Sequence, residues 1–195
     1  MTTAGIVGVL LAAGAGTRFG GGKLLAPLAP TGVPMGVAAC AHLRAAVDQV
    51  VAVVRPEDAA LAAALAAAGA DVLACARASE GMGASLACGV ARAAHARGWL
   101  IGLADMPWIA PGTIAMLATH LAHPDAIVVP RYRGQPGHPV GFGAAHRAAL
   151  LGLGGDIGAR GIVRAHAASV IEVDVEDPGV LRDVDTPQDL ADGSA

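Results

Sequence analysis

The chain has 195 residues, of which 54% are hydrophobic and 15% charged, and its formal net charge is −3. That length supports one substantial α/β domain, read here as residues 1–195, and the mild acidity without any basic stripe excludes a nucleic-acid binder. Much of the apolar content is alanine, and no uncharged stretch reaches the roughly 18 strongly apolar residues of a membrane span, so no membrane partner is expected.

Met1 to Gly5 carry no basic region ahead of an apolar run, so no secretory signal is read and a cytoplasmic protein is expected. Ile6 to Leu11 is an apolar run that predicts a buried first strand. It runs into Ala12-Ala13-Gly14-Ala15-Gly16-Thr17-Arg18-Phe19-Gly20-Gly21-Gly22-Lys23, with five glycines between positions 14 and 22. Such a turn lets successive N–H groups point into one concavity and bind an anion, phosphate above all. Arg18 and Lys23 add full positive charges. Lys23 is the one lysine among 13 basic residues, a compact ammonium on a flexible stem suited to seeking phosphate. Neither better-known glycine loop fits. Thr17 and Leu24 stand where a P-loop needs Gly and Ser or Thr, and Phe19 stands where a dinucleotide fingerprint needs a small residue.

A helix is predicted over Val37–Val47, a buried strand over Gln49–Val54, and a helix opened by Pro56, Glu57 and Asp58 that continues through Ala68 and closes at Gly69. Asp71 to Cys75 reads as a short third strand. Ser79-Glu80-Gly81-Met82-Gly83-Ala84-Ser85 then leads into a helix from about Ala84 to Ala96. That segment either receives an anion or the polar edge of a base, or is a plain glycine-containing loop. Trp99 to Ala104 is a strand whose tip carries Asp105, followed by Met106-Pro107-Trp108. A carboxylate at that sheet edge, facing a phosphate-binding loop, calls for a divalent cation between them, and Mg²⁺ suits one or two carboxylates plus phosphate oxygens. The competing account makes Asp105 a turn residue before Pro107.

Pro111 starts a helix to about His120, and Ala126 to Pro130 is a strand. Arg131 to Phe142 forms a hairpin-like excursion turning at Arg133 to Gln135, with His138 fixed between Gly137 and Pro139. This excursion either borders an anionic second substrate or is a solvated hairpin. Gly154 to Gly161 precedes a helix to about Ala167, with Arg160 a candidate phosphate ligand and Asp156 a candidate N-cap. Val170 to Val175 is a strand. Asp183-Val184-Asp185 reads as a strand edge before a helix start. There Asp185 is a second carboxylate near the metal, or Thr186 and Asp189 form a capping box. Residues 192–195 read as a frayed tail. Cys40, Cys75 and Cys88, widely spaced in apolar segments, read as buried free thiols, and no CxxC or HExxH spacing supports a zinc site.

The motifs LAAGAGTRFGGGK, SEGMGASLACGV, LADMPWI, GHPVGF, GDIGAR and DVDTPQDL, in that order, resemble the molybdenum cofactor cytidylyltransferases, the MocA-like branch of the MobA-like nucleotidyltransferases. The resemblance covers essentially the whole chain, apart from Pro27 to Gly36, which departs from the family pattern. It implies a single-domain Rossmann-like, glycosyltransferase-A-type fold: a mostly parallel sheet with helices on both faces. It also implies transfer of CMP from CTP to the phosphate of molybdopterin, with pyrophosphate released and Mg²⁺ as cofactor. In that scheme Leu11, Ala12, Ala13, Gly14 and Gly16 line the nucleotide, and Gly20 to Gly22 help to cradle its triphosphate. Arg18 and Lys23 neutralise the leaving group. Asp105, with Asp185, holds the metal. Gly81, Met82, Gly83 and Ser85 lie by the base, and His138 and Arg160 by the pterin. A recipient molybdenum hydroxylase is an implied partner. The alternatives are GTP as donor, since guanylyl-transferring relatives resemble LAGG where this chain has LAAG; an NADP-dependent oxidoreductase using Arg55 for the 2′-phosphate; and a non-catalytic carrier or insertion chaperone.

Overall fold

The computed structural model describes residues 5–192. Strands β1 (Ile6–Leu11), β2 (Gln49–Val54), β3 (Asp71–Ala74), β4 (Gly98–Leu103), β5 (Ile127–Tyr132), β6 (Gln135–Pro136), β7 (Val140–Gly143) and β8 (Val170–Asp174) form one eight-stranded sheet in the order β3-β2-β1-β4-β7-β5-β6, with β8 beside β5. β1 pairs in parallel with both β2 and β4, β2 with β3, and β5 with β8. β7 is antiparallel to β4 and β5, and β6 to β5. The expected α/β domain with a mostly parallel sheet is therefore present, with one reversed strand near its centre.

The helices are α1 (Met35–Arg44), α2 (Ala59–Ala67), α3 (Met82–Arg92), α4 (Pro111–Thr119), α5 (Arg147–Leu151), α6 (Arg160–Ala165) and α7 (Pro187–Asp192). Side chains alternate across the pleat, so each central strand feeds two cores. Ile6, Leu10, Val50, Ala52 and Leu100 pack with Leu43 of α1, Leu61 and Leu65 of α2, and Leu117 of α4. Val7, Val9, Val51, Val53 and Ile101 pack on the other face with Leu86 and Val90 of α3, Leu150 of α5 and Ile162 of α6. Burial on both faces explains why these strands read as continuous apolar runs. Among the described residues no helix is long and apolar enough to cross a membrane.

Several expectations need correction. α1 starts two residues before Val37 and ends at Arg44, so Val47 lies beyond it, although it still packs against the same core. Pro56, Glu57 and Asp58 form a turn, and α2 begins only at Ala59, because Asp58 takes a non-helical N-cap conformation. α3 starts at Met82 and stops at Arg92. Asp183 to Asp185 belongs to no strand, and α5 has no counterpart in the sequence reading. Cys75 and Cys88 are joined in a disulfide between the end of β3 and α3, leaving Cys40 as the free, buried thiol among the described residues. Their Cα atoms, 13 positions apart in sequence, are brought to 6.4 Å by the strand–helix crossover, which no short cysteine motif announces. The pairing also removes the thiol-based argument for a cytosolic setting. Of the expected tail, Asp192 ends α7, and the remainder lies outside the described residues.

The segment Asp177–Asp185 is held against the loop after β4 by close backbone contact. A Cβ on Gly179 would stand 2.3 Å from the Trp108 carbonyl oxygen, so only glycine fits. Gly179→Ala should destabilise the fold by about 1–3 kcal/mol through overpacking, lowering Tm by roughly 2–4 °C per kcal/mol. Gly112→Ala, whose Cβ meets open space on α4, should be neutral or stabilising. Thermal melts of the two variants compare them directly.

Candidate active site

β1 is the strand at which the chain reverses its direction of winding, with β2 and β3 on one side and β4 on the other. Open α/β sheets bind ligands in the crevice beyond such a switch point. The glycine loop leaves β1 here, and the segment after β4 faces it. The Ala12 N–H donates to the Val53 carbonyl at 2.9 Å, and Arg55 Nε donates to the Ala13 carbonyl at 2.8 Å, so the end of β2 anchors the start of the loop. Arg55 also lies 3.6 Å from Glu57. Gly16, Gly20, Gly21 and Gly22 all have positive φ, between 57° and 94°, which explains the glycine requirement. Within the described residues the N–H groups of positions 14–18 make no hydrogen bond, which leaves them available to an anion.

Beneath the loop a small apolar cluster joins distant parts of the chain. Leu28, Met35 and Val184 are buried there, with Phe19, Leu24, Trp108 and Leu190 packed against them. The Val184 N–H donates to the Asp105 carbonyl at 3.0 Å, which ties the two acidic segments together through the backbone. The charges above converge accordingly. Lys23 Nζ lies 2.8 Å from Asp105 Oδ2 and 3.5 Å from Asp185 Oδ1, and its side chain is only 10% exposed. Arg18, 76% exposed, pairs with the same Asp185. Asp185, and not the exposed Asp183, therefore faces the lysine.

The capping box exists alongside this contact. Asp189 Oδ2 accepts from the Asp185 N–H at 3.0 Å, the Thr186 N–H at 2.7 Å and the Thr186 hydroxyl at 2.8 Å. These bonds, the Thr186 hydroxyl first, hold the Asp189 carboxyl below its ordinary pKa, and the charge of Lys23 adds to the effect. Among the described residues no group of three or more His, Cys, Asp or Glu could enclose a metal by itself. Asp105 and Asp185 offer oxygen donors around one cationic point, which is chemistry that fits a hard cation completing its shell with phosphate and water.

Gly81, Met82, Gly83 and Ser85 stand at the start of α3, under a loop that the sequence reading did not connect with them. The Gly83 N–H donates to the Gly155 carbonyl at 2.8 Å, and a Cβ there would stand 2.5 Å from the Ile157 carbonyl oxygen. Ser85 is buried, with its hydroxyl 3.4 Å from the Gly81 carbonyl. Met82 remains 46% exposed. Asp156 is not an N-cap: it sits against Gly81, and Ala159 precedes Arg160 at the start of α6.

His138 precedes β7, which enters the sheet antiparallel with Val140 opposite Ile101 of β4, so the histidine lies at the same sheet edge as Asp105. Its peptide to Pro139 is cis, its N–H donates to the Val180 carbonyl at 2.9 Å, and its buried Nδ1 has no partner among the described residues. Burial pushes the imidazole pKa down and the charge of Arg160 lowers it further. The Ile101 carbonyl, Asp105 and Asp183 pull the other way. Structure thus brings Arg18, Lys23, Asp105 and Asp185 into contact, with His138 and Arg160 close enough to interact, while Gly83 and Ser85 are covered.

A cavity of about 400 Å³ opens between the glycine loop and the start of α2, lined by Gly14, Gly16, Lys23, Arg55, Glu57 and Leu61 among others. The sequence reading assigned no ligand role to Glu57, Asp58 or the first turn of α2. The available signal was their position directly after β2, at the C-terminal edge of the sheet.

Residues 8–170 match the model of the MobA-like NTP transferase domain. The purine catabolism protein PucB of Bacillus subtilis is 32% identical, with 94% of this chain and 93% of that protein covered. A nucleotidyl transferase from Methanothermobacter superimposes with a TM-score of 0.83 at 26% identity, covering 97% of this chain and 96% of that one. Rv0371c of Mycobacterium tuberculosis, solved as a manganese complex, gives a TM-score of 0.76 at 31% identity over 96% of this chain and 97% of that one.

The surroundings of His138 yield a measurable expectation. In an NMR pH titration its imidazole should lose its proton below the ordinary value of 6.5, and Arg160→Gln, by removing a nearby positive charge, should raise that midpoint. A wild-type midpoint at or above the ordinary value would contradict the assignment.

Proposed function

The chain belongs to the MobA-like NTP transferase family, and from that premise we propose that it transfers CMP from CTP to the terminal phosphate of molybdopterin, giving a cytosine dinucleotide cofactor and pyrophosphate. The observation that carries the nucleotidyl-transfer chemistry is the meeting of Lys23 and Asp105, 2.8 Å apart, beneath a glycine loop at the switch point of the sheet. The CTP and pterin assignments rest on the motif resemblance.

An oxygen of the acceptor phosphate attacks the α-phosphorus of the nucleotide. The new P–O bond forms as the bond to the bridging oxygen breaks, and the electron pair leaves with pyrophosphate. The nucleophile is already an anion, so no general base is required, and catalysis consists of alignment and charge neutralisation. The N–H groups of Gly14 to Arg18 hold the triphosphate. Lys23 and Arg18 take up charge developing on the leaving group. His138 and Arg160 face the acceptor, where an imidazole whose charged form burial disfavours and a guanidinium can bind phosphate and pterin polar groups without adding negative charge. Asp105 and Asp185 would hold Mg²⁺, which would supply further charge neutralisation for the transfer. The manganese complex of Rv0371c supports a divalent cation in this part of the family.

Arg55 favours this reading over an NADP-dependent reductase, because its guanidinium is engaged by the Ala13 carbonyl and Glu57. Guanylyl transfer is the nearest competing activity, and Ala13 in place of glycine is the feature that favours the pyrimidine. With Mg²⁺ and molybdopterin, pyrophosphate release should be strong with CTP, far weaker with GTP, and absent without the pterin. A GTP preference overturns the nucleotide assignment. Asp105→Asn should reduce turnover by about 10²-fold or more while leaving the circular dichroism spectrum unchanged, and near-wild-type turnover would remove Asp105 from the chemistry.

A further inference from the structure

We propose that Asp185 makes this site select the metal chelate of a triphosphate over the free triphosphate, by holding Lys23 and Arg18 in ion pairs that a divalent cation must replace. The inference rests on the nucleotidyltransferase reading and deepens it. The two cations that the glycine loop presents to phosphates are already engaged by the two carboxylates suited to a metal. Lys23 touches Asp105 at 2.8 Å and Asp185 at 3.5 Å, and Arg18 also pairs with Asp185.

A metal-free triphosphate that draws Lys23 and Arg18 to its oxygens strands Asp105 and Asp185 beside a polyanion, with no counter-charge. A divalent cation arriving alone finds an ammonium already between the carboxylates. When both arrive, every broken pair is replaced: phosphate takes the cationic side chains, and the cation takes the carboxylates. Each ligand therefore strengthens the binding of the other, and the coupling is reciprocal. Asp185 discriminates more than Asp105 because it contacts both cations. Its backbone is also pinned, through the N–H groups of Asp185 and Thr186, to the Asp189 carboxylate, so the segment cannot easily swing aside.

The test is calorimetric titration of the full chain with inorganic triphosphate, at constant ionic strength, in EDTA or in excess Mg²⁺. This probe has no base, so the outcome is independent of CTP or GTP preference. Wild type should bind about tenfold or more tighter with Mg²⁺, within the usual range of such couplings. Asp185→Asn should bind the metal-free probe several-fold tighter than wild type and lose most of the gain from Mg²⁺. Asp183→Asn makes the same charge change at a nearby exposed position and should leave metal-free binding as in wild type. Asp185→Ser replaces Asp185→Asn if the amide disturbs the turn, as judged by thermal melts. Metal-free binding that is unchanged or weaker in the Asp185 variants, or equally tightened in Asp183→Asn, overturns the proposal. Failure of wild type to bind triphosphate under either condition overturns the transferase reading with it, whereas magnesium-dependent binding combined with GTP turnover overturns only the cytidylyl assignment.

Discussion

Lys23 has little contact with water, and everything around it is arranged to keep its ammonium in company. Withdrawing such a group from solvent costs on the order of several kcal/mol unless opposite charge is close and well placed. Asp105 at 2.8 Å and Asp185 at 3.5 Å meet that requirement. Asp105 and Asp185 lie 82 and 162 positions from Lys23 in sequence, so their meeting is a product of topology and not of local sequence. β1 and β4 are adjacent and parallel, and their C-terminal ends deliver Lys23 and Asp105 to the same edge. The Val184 to Asp105 backbone bond then carries Asp185 to the same place.

The apolar cluster of Leu28, Met35 and Val184 is the other half of this constraint. A loop with glycines at positions 14, 16, 20, 21 and 22 has little conformational preference of its own and much backbone entropy to lose. Phe19 and Leu24 offset that loss by packing against the cluster. The loop is therefore held at its apolar anchors and at Ala12 and Ala13.

Strands β1, β2 and β4 and helix α4 were legible within a residue or two, because burial on both faces writes them as uninterrupted apolar runs and Pro111 marks a helix start. The positions of the glycine loop and of the carboxylate at the strand tip were legible for the same reason: both follow the ends of unmistakable strands. What escaped depended on tertiary contact. The covering of Gly83 by Gly155 and Ile157 joins two glycine-rich segments about 70 residues apart, each of which alone reads as an open loop. The pairing of Cys75 with Cys88 requires knowing how α3 lies on β3. The turn at Pro56 to Asp58 carried all the marks of a helix start yet remained outside α2, where it forms a wall of the cavity. Asp185 illustrates a different failure: a carboxylate turned to the site and a neighbour of the capping box were treated as rival readings, yet its side chain faces Lys23 while its backbone N–H bonds to Asp189.

The reversed strand gives the edge its functional asymmetry. Had β7 run parallel to β4, its N-terminal end would lie at the opposite edge of the sheet, and His138 with it. Because β7 is antiparallel, the residues just before Val140 arrive beside the tip of β4; in the proposed reaction the acceptor side would be built from chain entering the sheet and the donor side from chain leaving it. The two halves therefore meet over Asp105 without competing for the same loop. On one side lie glycine N–H groups and two cationic side chains; on the other lie the half-buried His138, whose burial disfavours the charged imidazole, and Arg160. An anionic donor and an anionic acceptor repel, and a single shared pocket would have to overcome that repulsion. In the proposed reaction each would approach from its own strand direction with its own neutralising groups, and the carboxylates between them would be left to a cation.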